Sequence, residues 1–341
     1  MNLKTFAYKG SKRKLLSNIL HFIREIDSEN FFDGFSGSGI VSAFARSNGL
    51  RVASNDLNPS CYIAGSVFLN GFNKENVEKH LVKINALLGK EDWITANYSG
   101  EIYKNGISRP NAFIRENAML LDSAREYVEN LDINIQDKNA LIFSIILAAD
   151  STINNTSDQK SSFAKWLDKS QKKINFICPT LIQGKIGNQT CGDIFSIKKE
   201  KYDCVYLDPP YSNGVLYSSC YHISDSIVLW DKPDLDKNYA LARPERASFR
   251  NKKLRRFYSK KNIEKDFHDL LKLFVDSKRI IISYSDAPRN LIKIDCLIDI
   301  CKKYGKLNVF SANHKLCTQF KSQNKVSEKL IEYFFIIDKI S

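Results

Sequence analysis

A doubly wound α/β sheet with a helical block inserted into it is the fold class this sequence predicts, and three observations predict it. Strand-like runs alternate with helical ones in the first and last thirds of the 341 residues; a glycine-rich turn follows the first of those runs; and the middle of the chain switches to helical periodicity.

The strand-like runs come in order. "NFFDGF" (30–35) and "RVASND" (51–56) lie in the first third, and "YDCVYLD" (202–208), "RIIISYS" (279–285), "KLNVFSA" (306–312) and "IEYFFIID" (331–338) in the last part. Each is rich in β-branched and aromatic residues, the types that fit a pleated surface. Between about Ala64 and Cys178, "KENVEKHLVKINALL" and "RENAMLLDSAREYVENL" place apolar residues three and four apart, and "NNTSDQKSS" interrupts the pattern. Three stretches follow: 1–64 as the first part of a sheet domain, 65–178 as a helical lobe, and 179–341 as the remainder of the sheet domain, with a basic insertion over 231–265. The longest apolar run, "ALIFSIILAA" (Ala140–Ala149), is about half of what crosses a bilayer and reads as a buried helix. No secretory signal is visible in the basic start, so a cytoplasmic protein without membrane attachment is expected.

Eight cysteines and five histidines are dispersed, with no Cys-x-x-Cys pair, so no metal site is expected. Charge carries more information. Fifty-one Lys and Arg against thirty-eight Asp and Glu give +13, enough to draw a polyanion through counterion release. The stretch "RPERASFRNKKLRRFYSKKN" (243–262) concentrates that charge against a single Glu, with Phe249, Phe257 and Tyr258 interleaved. Such a run suits phosphates and bases, with Arg250, Lys252, Lys253, Arg255 and Arg256 as candidate contacts; a solvated helix face has the same composition.

"FFDGFSGSG" joins a strand to a helix start through small residues. Its Gly-x-x-Gly-x-Gly spacing fits a dinucleotide fingerprint poorly, which speaks against a nicotinamide dehydrogenase. Asp33 at the strand end would repel a pyrophosphate but can hold an ammonium. Asp56 ends the next strand about twenty residues on, where an acid can accept ribose hydroxyls; a helix cap is the other reading. Together they indicate a nucleoside ligand without phosphates, a description S-adenosyl-L-methionine meets.

"DPPY", Asp208 to Tyr211, then decides the chemistry. An exocyclic amino group conjugated to a purine ring is a poor nucleophile. If Asp208 and the Pro209 carbonyl accept its hydrogens, the lone pair is released toward a sulfonium methyl. Pro210 stiffens the corner, and Tyr211 offers a face on which an extruded base stacks.

Taken together, "FAYKGSKRKLL", "FFDGFSGSG", a helical block and "DPPY", in that order, resemble the alpha group of Dam-like adenine-specific DNA methyltransferases over nearly the whole chain. The resemblance implies a class I (Rossmann-like) methyltransferase sheet, with the helical block as target-recognition domain. It further implies base flipping of an adenine in double-stranded DNA, direct methyl transfer from S-adenosyl-L-methionine, and a restriction-modification setting in which a cognate endonuclease is a possible partner. It assigns Tyr8, Lys12, Asp33, Phe35, Gly37, Asp56, Asp193, Ile194 or Phe195, and Asp208 to the cofactor, and Asp208 to Tyr211 to catalysis. The family often has Trp-Ala-Gly-Gly-Lys where this chain has Tyr-Lys-Gly-Ser-Lys, keeping the ends and changing the middle. Downstream, Tyr217 and Tyr221 are candidates to close over the base, His222 reads first as a packing residue, and Ser283, Tyr284 and Ser285 reach the same sheet edge. An RNA adenine methyltransferase, which more often has Asn at the head of the tetrapeptide, and an idle DNA-binding regulator on this scaffold are the alternatives. A cytosine amino methyltransferase would favour Ser at that position.

Overall fold

Burial begins with the strands. The computed structural model describes residues 3–102, 108–155, 159, 164–198, 200–210, 220–235, 256–288, 290–315 and 329–340. Seven strands form one sheet: β1 (Asn30–Asp33), β2 (Arg51–Asp56), β3 (Asn188–Cys191), β4 (Cys204–Leu207), β5 (Arg279–Ser285), β6 (Lys306–Lys315) and β7 (Lys329–Asp338). Their spatial order is β3-β2-β1-β4-β5-β7-β6. The pairs from β3 through β5 are parallel, and β7 runs antiparallel between β5 and β6. That is a doubly wound sheet whose order reverses between β1 and β4, so its ligand crevice falls at the carboxyl ends of those strands.

The central strands are buried along their whole length: all four residues of β4 and all seven of β5. Parallel strands covered on both faces need continuous apolar sequence, which "CVYL" and "RIII" supply. Phe32, Val205, Leu207, Ile280, Ile282 and Phe335 join Leu270, Leu271 and Phe274 from the helical side in one core. Arg279 opens β5 buried, and its guanidinium donates to Asp338 Oδ1 (2.6 Å), Glu25 Oε2 (2.6 Å) and the Phe22 carbonyl (2.6 Å). A buried arginine so placed ties β5 to β7 and to helix Leu16–Arg24.

The chain divides into two compact units: Gly10–Leu57, Gln183–Tyr217 and Phe249–Ser341 make the sheet unit, and Met1–Lys9, Asn58–Ile182 and Ser218–Ser248 the helical one. In the helical unit, the helix Ile135–Thr152 runs through the centre and contains the apolar run 140–149, buried except at its ends. No helix among the described residues is long and apolar enough to cross a membrane. Buried carboxylates cap neighbouring helices: Asp225 accepts from Ser60 N and Oγ, and Asp122 from Ile94 N, Thr95 N and Thr95 Oγ1. A small three-stranded sheet of Ser99–Ile102, Ser108–Arg109 and Phe113–Ile114 lies within the helical periodicity of this region.

Candidate active site

Four strand ends meet at the crevice of the sheet unit. β1 ends in Asp33, β2 in Asp56, β3 leads into Gly192 and Asp193, and β4 leads into Asp208. The glycine turn after β1 is held by backbone bonds. Gly34 N donates to Tyr206 O (2.9 Å), Ser36 N to Asn55 O (3.0 Å) and Gly39 N to Ser36 O (2.8 Å). Gly37 and Gly39 sit at φ 52° and 75°, a region that glycine enters without a Cβ penalty. Helix Ile40–Ser47 starts there.

Asp56 accepts from Gly37 N at 2.8 Å, so the acid on β2 also stitches the turn on β1. At the start of helix Pro59–Asn70, Asp225 Oδ1 accepts from Ser60 N at 3.0 Å. Asp33 is 1% exposed; Ser42 Oγ donates to its Oδ2 at 2.7 Å, while its Oδ1 and the nearby Ser36 Oγ are buried without partners. Burial drives the Asp33 carboxyl from its ordinary 3.8 up to about 7, opposed by the Ser42 bond and reinforced by the charges of Asp208 and Asp56. A buried acid with an unsatisfied oxygen fits a cationic ligand group, such as the ammonium of S-adenosylmethionine.

Asp193 forms a local turn, its Oδ1 accepting from Phe195 N at 3.1 Å. Ile194 is buried in the sheet core, against which Phe35 and Phe195 also pack. Phe195 stacks on Phe257 (centroids 6.1 Å), and Phe35 meets Phe257 edge to face at 5.8 Å. The Arg256 guanidinium lies 3.7 Å above the Phe195 ring and 3.5 Å from Asp269, so this member of the basic run already has partners in the sheet unit.

Asp208 follows β4 directly. Lys12 Nζ donates to its Oδ2 at 2.6 Å and to Gly10 O at 3.1 Å, and lies 3.5 Å from Glu332 Oε1. Burial raises the Asp208 carboxyl to about 6; Lys12 pulls it down and Glu332 pushes it up. Lys12 and Glu332 are almost fully buried, whereas the Asp208 side chain remains 18% exposed. Pro209 is buried and Pro210 half-buried. The structure thus brings together Lys12, Asp33, Phe35, Gly37, Asp56, Asp193, Ile194, Asp208, Pro209 and Pro210 on one unit.

Tyr8 belongs to the helical unit, where it stacks on Tyr221 (centroids 4.6 Å, 12°). Tyr221 is buried and its hydroxyl accepts from Lys9 N at 2.7 Å, so it packs rather than closing over a base. His222 is buried between the Tyr98 hydroxyl (3.0 Å) and the Gln159 carbonyl (2.9 Å). Ser283 and Tyr284 are buried, Tyr284 bonding the Ile292 carbonyl. Tyr211, Tyr217, Arg250, Lys252, Lys253 and Arg255 lie outside the described residues. Glu332 was not singled out from the sequence: as a charged residue within "IEYFFIID" it has the pattern of an ordinary outward-facing strand position.

A mostly parallel sheet with this strand order, an acid-lined crevice at its switch point and Asp-Pro-Pro at the neighbouring strand end have the layout of a doubly wound nucleotide-binding fold. Residues 8–277 match the family of D12 class N6 adenine-specific DNA methyltransferases, and the chain belongs to that family. The type II methyltransferase M.NlaIII of Neisseria lactamica is 25% identical over 97% of this chain and 99% of its own length. Type II methyltransferase M.FokI of Planomicrobium okeanokoites is 27% identical over 97% of this chain, which spans 52% of that protein. Modification methylase LlaI of Lactococcus lactis subsp. lactis is 22% identical, with 54% of its length covered. Among solved structures, the magnesium protoporphyrin IX methyltransferase of Synechocystis PCC 6803, 8% identical, aligns over 96% of this chain and 79% of its own at a TM-score of 0.35, too distant to bear on the assignment. The protein is an S-adenosylmethionine-dependent adenine-specific DNA methyltransferase, which sets aside the RNA-directed and idle-regulator alternatives.

Proposed function

We propose that Asp208 and the main-chain carbonyl of Pro209 accept the two amino hydrogens of an adenine turned out of double-stranded DNA. The observation that carries this reading is the state of Asp208. It is more exposed than the buried Asp33 and Asp56, and Lys12 holds it by Oδ2. The fixed carboxylate and the rigid prolyl carbonyl together draw the amino nitrogen toward a tetrahedral geometry and free its lone pair. S-adenosylmethionine, when bound, supplies an electrophilic methyl group on sulfur. Asp33, with its unsatisfied Oδ1, is assigned to the cofactor's ammonium, Asp56 to its ribose, and Asp193, Ile194 and Phe35 to the surroundings of its adenine. Tyr8 is proposed to contact the cofactor as well, and Tyr211 to stack on the flipped base.

The helical unit and the basic run through Arg256 are proposed to hold the duplex, the former choosing sequence by contacts to base edges. We place the enzyme in the cytoplasm as the modification half of a restriction-modification system, with an endonuclease recognising the same site. The type II relatives support that setting. The test is incubation of the purified chain with labelled S-adenosylmethionine and duplex DNA, followed by nucleoside analysis. N6-methyladenine is expected with the wild type. Asp208→Ala is expected to lose transfer while still binding DNA and folding normally, since Lys12 keeps Glu332 as a partner. Normal turnover by Asp208→Ala would refute the mechanism.

A further inference from the structure

We propose that Glu332 is a positioning residue for Asp208, holding the Lys12 ammonium between two carboxylates so that Lys12 engages one oxygen of Asp208 and the carboxylate remains a strong acceptor. The proposal rests on the functional reading given above. Its geometry is independent of that reading. Lys12 Nζ is 2.6 Å from Asp208 Oδ2 and 3.5 Å from Glu332 Oε1, and Ser283 Oγ donates to that same Oε1 at 2.5 Å.

Three of these four side chains, Lys12, Ser283 and Glu332, are buried, and the last two are carried by strands. Ser283 lies on β5 and Glu332 on β7, where Glu332 pairs in register with Ser285. Because β7 is antiparallel, its opening residues arrive at the carboxyl end of β5, the edge where Asp208 sits. A buried carboxylate has no reason to be there for packing. One lysine facing two acids costs stability, offset in part by the Ser283 hydroxyl that donates to Glu332, and such a costly arrangement is the kind found at functional sites.

Its use here follows from electrostatics. A lysine paired with Asp208 alone would draw down its electron density and weaken it as an acceptor of adenine N–H bonds. With Glu332 sharing the ammonium, that draw is divided, and Asp208 keeps more of its basicity. The groups that act on Asp208 are Lys12, which lowers its pKa, and Glu332, which raises it; Asp33 and the buried Tyr206 hydroxyl are also in electrostatic range.

The test is Glu332→Gln, with Glu332→Asp and Ser283→Ala beside it, in the full-length protein. The Asp208 carboxyl is titrated by carbon-13 NMR, and kcat is followed against pH with duplex DNA. Glu332→Gln is expected to move the Asp208 midpoint and the acid limb of kcat to lower pH, because a neighbouring negative charge is gone. The plateau kcat is expected to fall about tenfold, a loss of ~1.4 kcal/mol in transition-state stabilisation, while the KM for S-adenosylmethionine stays within about twofold. Glu332→Asp should recover most of kcat, and Ser283→Ala should shift the limb part of the way in the same direction. An unmoved midpoint in both Glu332→Gln and Ser283→Ala overturns the proposal, as does a fall in kcat with an unmoved acid limb. Should the midpoint move as expected while the wild type makes no N6-methyladenine, the functional reading fails and the coupling of Glu332 to Asp208 stands.

Discussion

Asp33→Asn is the substitution whose consequences the structure specifies most fully. Burial raises the Asp33 carboxyl from 3.8 to about 7; the charges of Asp208 and Asp56 add to the rise, and the Ser42 hydroxyl and the Phe35 backbone N–H oppose it. A group whose pKa rises on folding favours the fold where it is protonated and penalises it where it is ionised. The penalty is absent below about pH 4, grows between there and pH 7, and is complete above. Three pH units at 1.36 kcal/mol each put its ceiling at ~4 kcal/mol. Asn carries no charge, but its amide nitrogen inherits a place where the carboxylate oxygen has no partner, which returns ~1–3 kcal/mol of that gain. The variant is therefore expected to be more stable than the wild type by roughly 1–3 kcal/mol at pH 8 in urea melts, and less stable than it by the ~1–3 kcal/mol of the unpaired amide near pH 4.

Binding should run the opposite way. If Asp33 must be ionised to hold the ammonium, wild-type affinity for S-adenosylmethionine drops about tenfold from pH 8 to pH 6, since about one molecule in ten then carries the charge. The midpoint belongs to the group of acids rather than to one carboxyl, so the drop is spread over more than one pH unit. Asp33→Asn should bind weakly at both pH values, with a flat profile in calorimetry. A variant no more stable at pH 8 than at pH 4 relative to wild type, or one that binds the cofactor as well as wild type does, refutes the reasoning.

Arg279→Ala should cost ~1.5–3 kcal/mol in denaturant melts, because it removes the charge-assisted bonds to Asp338 and Glu25 and the donor to the Phe22 carbonyl, yet leave cofactor affinity in the surviving folded protein unchanged. Replacing Arg250, Lys252, Lys253, Arg255 and Arg256 with Ser should flatten the dependence of DNA affinity on salt, with a loss of roughly 0.9 in the log–log slope for every phosphate contact removed; an unchanged slope makes the run a solvated surface. Tyr211→Ala should weaken binding of a duplex carrying an abasic or mismatched target by ~1–3 kcal/mol and lower turnover, with Phe and Trp retaining most of it; a fully active Ala variant excludes stacking.

The strands that could be read in advance are those whose side chains do the burying. "RIIISYS" and "YDCVYLD" are apolar because both sheet faces are covered, and the structure has strands within both. β3, "NQTC", went unread for the same reason in reverse: it is a short edge strand with one buried residue in four, so burial imposed no pattern on it. The acids at the ends of β1 and β2 and the Asp-Pro-Pro corner could be found because each adjoins its own strand. Tyr221 misled because an aromatic soon after a catalytic corner resembles a lid, while its actual surroundings, Phe6, Tyr8 and Lys9, come from the far end of the sequence.

Glu332 shows what local pattern omits altogether. Its neighbours Lys12 and Asp208 are 320 and 124 residues away, and only the reversed direction of β7 sets its carboxylate beside them. In a strand read by itself, Glu between Ile and Tyr satisfies alternation with the acid facing water, so the pattern is consistent with the opposite placement. Once buried, however, its charge must be paired, and its partners are the Ser283 hydroxyl and the ammonium it shares with Asp208. A sheet that brings a distant strand to the switch point by running it backwards thereby adds a control on the acidity of Asp208 that neither the glycine turn nor the Asp-Pro-Pro corner contains.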